Sequence, residues 1–252
     1  MRLNLNCAKF NFMRKEPFGI GDYVHVYNRG NKKQAIVKDE HDKQHFLQIL
    51  FYFNTETTPP NQFQDLRSNL RFNLNEFIWL DSWAPRKPIV KILAFMLMKN
   101  HFHLLLEEVA DGGIAKFMQR LGTGMTMYYN TRHQETGTLF QGSYKAKVVD
   151  RDLYLKYLNV YIQVKNGFEL YNGGFDVAMK EFDKAYKWVT EFPYGSLSYY
   201  YGKVTTPIVD KDLFLEIFDS PDEYKNFVKE CMLDLESRLG ELIFEDLTTI
   251  EV

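Results

Sequence analysis

The sequence predicts an α+β fold: helices cover one face of an antiparallel sheet, and a mainly helical C-terminal extension follows. Three observations carry this. An alternating, β-rich stretch runs from Tyr23 to Asn28. Two apolar runs, Ile89 to Met98 and His101 to Glu107, flank a short turn at Lys99-Asn100, as an antiparallel pair should. Between and beyond them, apolar residues recur at helical spacing. The order strand–helix–strand–strand–helix–strand–helix is that of a ferredoxin-like sandwich, whose second face is left as a floor for a site.

The first strand, Tyr23 to Asn28, closes on Arg29-Gly30-Asn31. Asp39 to Phe53 puts Phe46, Leu47, Ile49, Leu50 and Phe53 on one helical face, with Asp39 as its cap. His41 and His45 lie one turn apart on that helix and read as surface polar residues. Asn54 to Pro88, punctuated by four prolines, reads as a long loop with a short element around Phe72–Leu80. The Ile89–Met98 strand is apolar on both faces, as a central strand is. Ile114 to Tyr129 is helical despite Gly122 and Gly124, its Phe117, Leu121, Met125 and Tyr128 stripe being core. Tyr128 and Tyr129 read as structural or base-stacking residues. Gly137 to Gly142 is a turn, Tyr144–Val149 the last strand, and a helix runs from Asp150 or Arg151 to about Lys165, where Gly167 ends it. Three further helices follow, at Asp176–Thr190, Asp210–Phe218 and Asp222–Leu239. The domain boundaries are thus an N-terminal segment, 1–20, a core domain, 21–170, and the helical extension, 171–252. Met13 is an alternative start.

A chain of 252 residues, 45% apolar and 16% aromatic, has ample material for a core. The net charge of −2 gives no global argument for a nucleic-acid partner. Its distribution does. Gly113 to Asn166 holds eight basic and three acidic residues, whereas Val209 to Val252 holds four basic and thirteen acidic. Two distant cysteines fit a reducing, cytoplasmic setting and exclude a disulfide framework or a structural zinc site. No uncharged apolar run reaches the roughly 18 residues of a membrane span.

His101 and His103 stand at positions i and i+2 of a strand, so both project from one face while Phe102 turns to the other. Two imidazoles so placed can bind one divalent ion, with further ligands from elsewhere. A metal on a sheet suits phosphoryl transfer, which then needs a nucleophile. The helix after Arg151 offers Tyr154, Tyr157 and Tyr161, of which Tyr157 and Tyr161 share a face.

Four stretches together resemble the single-tyrosine HUH transposases, in particular the branch of REP-associated tyrosine transposases. Tyr23-Val24-His25-Val26-Tyr27-Asn28-Arg29-Gly30 is similar to that family's opening strand. Met98-Lys99-Asn100-His101-Phe102-His103-Leu104-Leu105 is similar to its M-P-N-H-x-H-L-L motif, with Lys99 in place of proline. Leu139 to Lys145 resembles F-Q-G-R-Y-K, and Asp152 to Ile162 the start of D-x-Y-L-x-x-L-x-x-Y-I-H-L-N-P. The resemblance covers roughly residues 15–170. It implies a ferredoxin-like domain that binds single-stranded or hairpin DNA and uses Mg²⁺ or Mn²⁺. It also implies cleavage that leaves a 5′-phosphotyrosine, by a monomer or homodimer. His101 and His103 become metal ligands; Tyr161 becomes the nucleophile, with Tyr157 the alternative. Arg29, Arg120, Arg132, Lys145, Lys147 and Lys165 are the candidates for DNA-backbone contact.

The chain departs from the family four residues after Tyr161, where the usual Asn or Gln is replaced by Lys165. A protonated lysine is no metal ligand. Three readings stand open. Asn166 or Gln163 completes the metal site after a local shift; Lys165 itself stabilises the scissile phosphate; or the protein is a repurposed copy with weakened metal binding. The rivals to a transposase are accordingly a non-catalytic nucleic-acid-binding module and a metal-dependent hydrolase that activates water.

Overall fold

The computed structural model describes residues 18–59, 61–64, 77–149 and 152–235. Its centre is a four-stranded antiparallel sheet of β1 (Tyr23–Arg29), β2 (Val90–Leu97), β3 (His101–Glu108) and β4 (Lys145–Val148), in spatial order β2-β3-β1-β4. With α1 (Glu40–Tyr52) between β1 and β2, and α2 (Gly113–His133) between β3 and β4, the topology is the expected ferredoxin-like one. Asp39 caps α1 by accepting the Asp42 amide, as its position suggested. The predicted element at Phe72–Leu80 falls largely outside the described residues, as does the segment before Phe18.

Alternation sorts the strands into two faces. Val24, Val26, Phe102, Leu104 and Leu106 pack with Phe46, Ile49, Leu50, Phe117, Leu121 and Met125 of α1 and α2. The other face is not an open floor. Leu105, Ala94 and Met96 meet Leu158, Tyr161, Ile162 and Val164 of the tyrosine helix, with Tyr186, Tyr224 and Val228 from farther along the chain. Helices therefore lie on both sides of the sheet.

β2 is an edge strand rather than a central one. Its apolar composition reflects coverage on both faces, and its outer edge is closed by later segments of the chain. The amide of Leu97 donates to Tyr194 O at 3.0 Å, that of Ser196 to Phe95 O at 2.9 Å and that of Asp210 to Ile92 O at 2.9 Å. The extension thus satisfies edge groups that would otherwise pair with another chain. It comprises α5 (Gly174–Lys180), α6 (Phe182–Glu191), α7 (Leu197–Tyr200), α8 (Asp212–Ile217) and α9 (Pro221–Leu235), so the single helix expected over Asp176–Thr190 is two. No described helix is long and apolar enough to cross a membrane.

The tyrosine helix also runs differently from expectation. α3 (Asp152–Val160) passes into a π-helical turn (Tyr161–Lys165) and continues as α4 (Asn166–Leu170), so Gly167 does not end it. A Cβ on Gly167 would lie 2.8 Å from Val189 Cγ2, so this glycine permits close approach of α6 rather than a stop.

Candidate active site

His101 and His103 leave β3 on the face that carries the tyrosine helix, and β1 supplies His25, Tyr27 and Arg29 to the same face. The rings of His101 and His103 are 5.1 Å apart and perpendicular. Each has a partner at Nδ1. Asn100 Oδ1 lies 2.7 Å from His101 Nδ1, so that nitrogen carries the proton and Nε2 the lone pair. His103 Nδ1 lies 3.0 Å from His25 Nε2. His103 Nε2 is buried with no hydrogen-bond partner among the described residues.

Both inner histidines are held neutral. Burial, with the Lys147 ammonium adding to it, pushes His25 down to about 3. Burial first, then His25, His101 and Lys165, holds His103 well below the usual imidazole range. A neutral imidazole keeps a lone pair, which is what a cation needs.

Tyr161 is fully buried, and its ring packs edge-on against His103 at 5.4 Å and against His25 at 6.3 Å. Tyr157 faces elsewhere: its ring lies 5.5 Å from Phe227 of α9. Lys165 Nζ sits 5.0 Å from the Tyr161 ring centroid and 2.5 Å from Glu169 Oε1. Because the turn is π-helical, the amide bonded to the Tyr161 carbonyl is that of Asn166, where an α-helix would bring Lys165. Asn166 is buried, and neither its amide oxygen nor its nitrogen has a hydrogen-bond partner among the described residues. Gln163 is occupied: its amide donates to Asn159 Oδ1, and its oxygen accepts from Ser196 Oγ at 2.8 Å.

The basic residues divide between the two faces. Register pairs Lys147 with His25, Lys145 with Tyr27 and Arg29 with His101, so all three side chains share the histidine face. Arg120 and Arg132 are not brought there. Both sit on α2, across the sheet. Arg120 donates to the carbonyls of Phe53, Thr55 and Glu56, and Arg132 pairs with Asp39 and Asp42. His45, read as a surface residue, is buried and stacks on Tyr128 at 3.6 Å between centroids. His41 Nδ1 meets the Tyr128 hydroxyl at 2.5 Å.

Sequence reasoning assigned no role to His25. The signal for it was present: alternation sets His25 on the face of Tyr27, and a β1–β3 pairing puts that face beside His103.

Residues 80–165 match the family model described as "Transposase IS200 like", a stretch that holds His101, His103 and Tyr161. A solved structure of a REP-associated tyrosine transposase bound to a REP hairpin is similar at a TM-score of 0.42 and 11% identity, over 78% of this chain and 88% of that one. No curated protein matches the chain.

Proposed function

We propose that this chain, which carries the IS200-like transposase signature across residues 80–165, is a DNA strand-transferase. It cleaves single-stranded or hairpin DNA with Tyr161 as nucleophile and His101 and His103 as ligands of a divalent cation, Mg²⁺ or Mn²⁺. One observation supports this above others. Of the two candidate tyrosines, Tyr161 is the one packed edge-on to His103, at 5.4 Å, whereas Tyr157 packs on Phe227.

The residues present fit such a cation. His103 Nε2 is a buried nitrogen with no hydrogen-bond partner among the described residues, and His101 has its proton fixed on Nδ1 by Asn100. Among the described residues no group of three or more His, Cys, Asp or Glu could hold an ion, so a third donor among them is of another type. We assign it to the buried amide of Asn166, one residue beyond the family position, because the π-helical turn moves the helix on by one residue there. Gln163, held by Asn159 and Ser196, has no amide to spare. When bound, the cation polarises the scissile phosphate and offsets its developing charge.

The chain's own groups do the rest. Arg29, Lys145 and Lys147 hold the DNA backbone along the histidine face. Tyr161 Oη attacks phosphorus. The Oη–P bond forms, the P–O3′ bond breaks, and the proton given up by the tyrosine is balanced by the one the 3′ oxygen takes up. The 5′ end stays on Tyr161 as a phosphodiester. Attack by another 3′-hydroxyl reverses these bonds, rejoins DNA and releases the tyrosine. Lys165, beside the Tyr161 ring, steadies the phenolate and the phosphate charge.

The test is incubation with single-stranded hairpin DNA and Mn²⁺, read on denaturing gels. A covalent adduct that is lost with His103→Ala is expected. Strand cleavage without any adduct would favour a hydrolase that activates water, and binding without cleavage a non-catalytic module.

A further inference from the structure

Three imidazoles crowd one end of the histidine face, but they do not point at one place. His25, from β1, is fully buried and lies diagonally across from His103, which is itself opposite Tyr27. The His25 and His103 rings are stacked at 5.2 Å with 21° between planes, and Nε2 of the first meets Nδ1 of the second at 3.0 Å. Three histidines this close would be a ready metal group if they converged, and they form none. The reason is visible in the contact. The His25 nitrogen that faces inward is spent on His103.

We propose that His25 is a positioning residue for the metal site: its Nε2 accepts the Nδ1–H of His103, which fixes the ring and keeps the Nε2 lone pair of His103 available to a divalent cation. The inference rests on the metal-binding reading above. A neutral imidazole has one N–H, and the partner of one nitrogen decides which nitrogen is left to ligate. His101 and His103 then follow one rule with different partners. Asn100 takes the Nδ1–H of His101 at 2.7 Å, and His25 takes that of His103. The two ligands are equally set, one from its own turn and one from the neighbouring strand. His25 Nδ1, buried and without a hydrogen-bond partner among the described residues, carries the proton this arrangement requires.

The alternative is that His25 only fills space between Tyr27 and Tyr161. Two variants separate the cases. His25→Phe keeps a ring but has no acceptor; His25→Gln carries an amide oxygen to about where Nε2 lies. Should Phe not be tolerated, His25→Asn, whose amide stops short of His103, takes its place. Nitrogen-15 imidazole spectra of the metal-free protein should show His103 protonated at Nδ1 in wild type and His25→Gln, and at Nε2 in His25→Phe. Calorimetric titration with Mn²⁺ should show affinity lowered about 10–100-fold in His25→Phe and largely kept in His25→Gln. A His103 tautomer unchanged by His25→Phe, or equal loss of Mn²⁺ binding in both variants, would overturn the proposal. If wild type itself bound no Mn²⁺, the metal reading would fail instead, and the tautomer of His103 would still decide the role of His25.

Discussion

The Tyr161 ring stands perpendicular to the His103 ring, their planes at 89° and their centroids 5.4 Å apart. This contact joins two parts of the chain nearly sixty residues apart, the central strand β3 and the first residue of a π-helical turn. An edge-to-face pair is a favourable packing in its own right. Here it also sets a phenol next to a neutral imidazole with a buried nitrogen that has no hydrogen-bond partner among the described residues.

Lys165 stands where the single-tyrosine transposases that the sequence resembles carry Asn or Gln. Replacing it with Gln removes a cation that lies beside Tyr161 and acts electrostatically on His103. Mn²⁺ affinity should rise about tenfold, as about 1.4 kcal/mol of repulsion is relieved. Adduct formation should slow by about a hundredfold if the ammonium stabilises the phosphate charge. Titration calorimetry and single-turnover gels measure the two separately. Unchanged affinity would show that Lys165 does not face the cation.

Gly30 and Gly122 make opposite predictions. A Cβ at Gly30 would come 2.1 Å from the Gln34 carbonyl oxygen and 3.1 Å from Ile36 Cγ2, and backbone cannot swing aside. Gly30→Ala should cost about 1–3 kcal/mol. A Cβ at Gly122, inside α2, would meet nothing within 4 Å. Gly122→Ala should stabilise by about 0.5–1 kcal/mol, since alanine is the better helix former. Urea melts of the two variants give the signs directly.

Asp42 ties the start of α1 to the end of α2. It accepts from the Lys38 amide at 2.7 Å and His133 Nε2 at 2.9 Å, and pairs with Arg132. Burial alone would raise its pKa, but these donors together lower it, and Arg132 brings Asp39 down to about 2. Both carboxylates are therefore depressed below their unfolded value of about 3.9, so their stabilisation is complete above that pH and lost as pH falls through their folded values, about 2 for Asp39. Thermal melts should show a steep acid limb between about pH 4 and 2. Asp42→Asn should flatten it and cost about 3 kcal/mol at neutral pH, because Arg132 and His133 lose their buried partner.

Much of this was legible in the sequence, and the failures have physical causes. α2 announces itself by one buried helical face, and β1 by its alternation of residue types, each of which leaves a clear period. β2 misled because an apolar strand shows that both faces are covered, not that both edges are paired; its outer edge is closed by Tyr194, Ser196 and Asp210, far along the chain. Gly167 looked like a helix stop, but it is there because Val189 comes too close for a Cβ. The His25–His103 contact arises from strand pairing, which local spacing does not contain. The π-helical turn that carries Asn166 past Lys165 has no local sequence signature at all.

The most direct measurement is mass-spectrometric mapping of the residue linked to DNA after reaction with a single-stranded hairpin substrate and Mn²⁺, in wild type, Tyr161→Phe and Tyr157→Phe. A phosphate-linked peptide that carries Tyr161 is expected in wild type and Tyr157→Phe, and no adduct in Tyr161→Phe. A peptide linked through Tyr157, or an adduct that persists in Tyr161→Phe, would contradict the assignment of Tyr161.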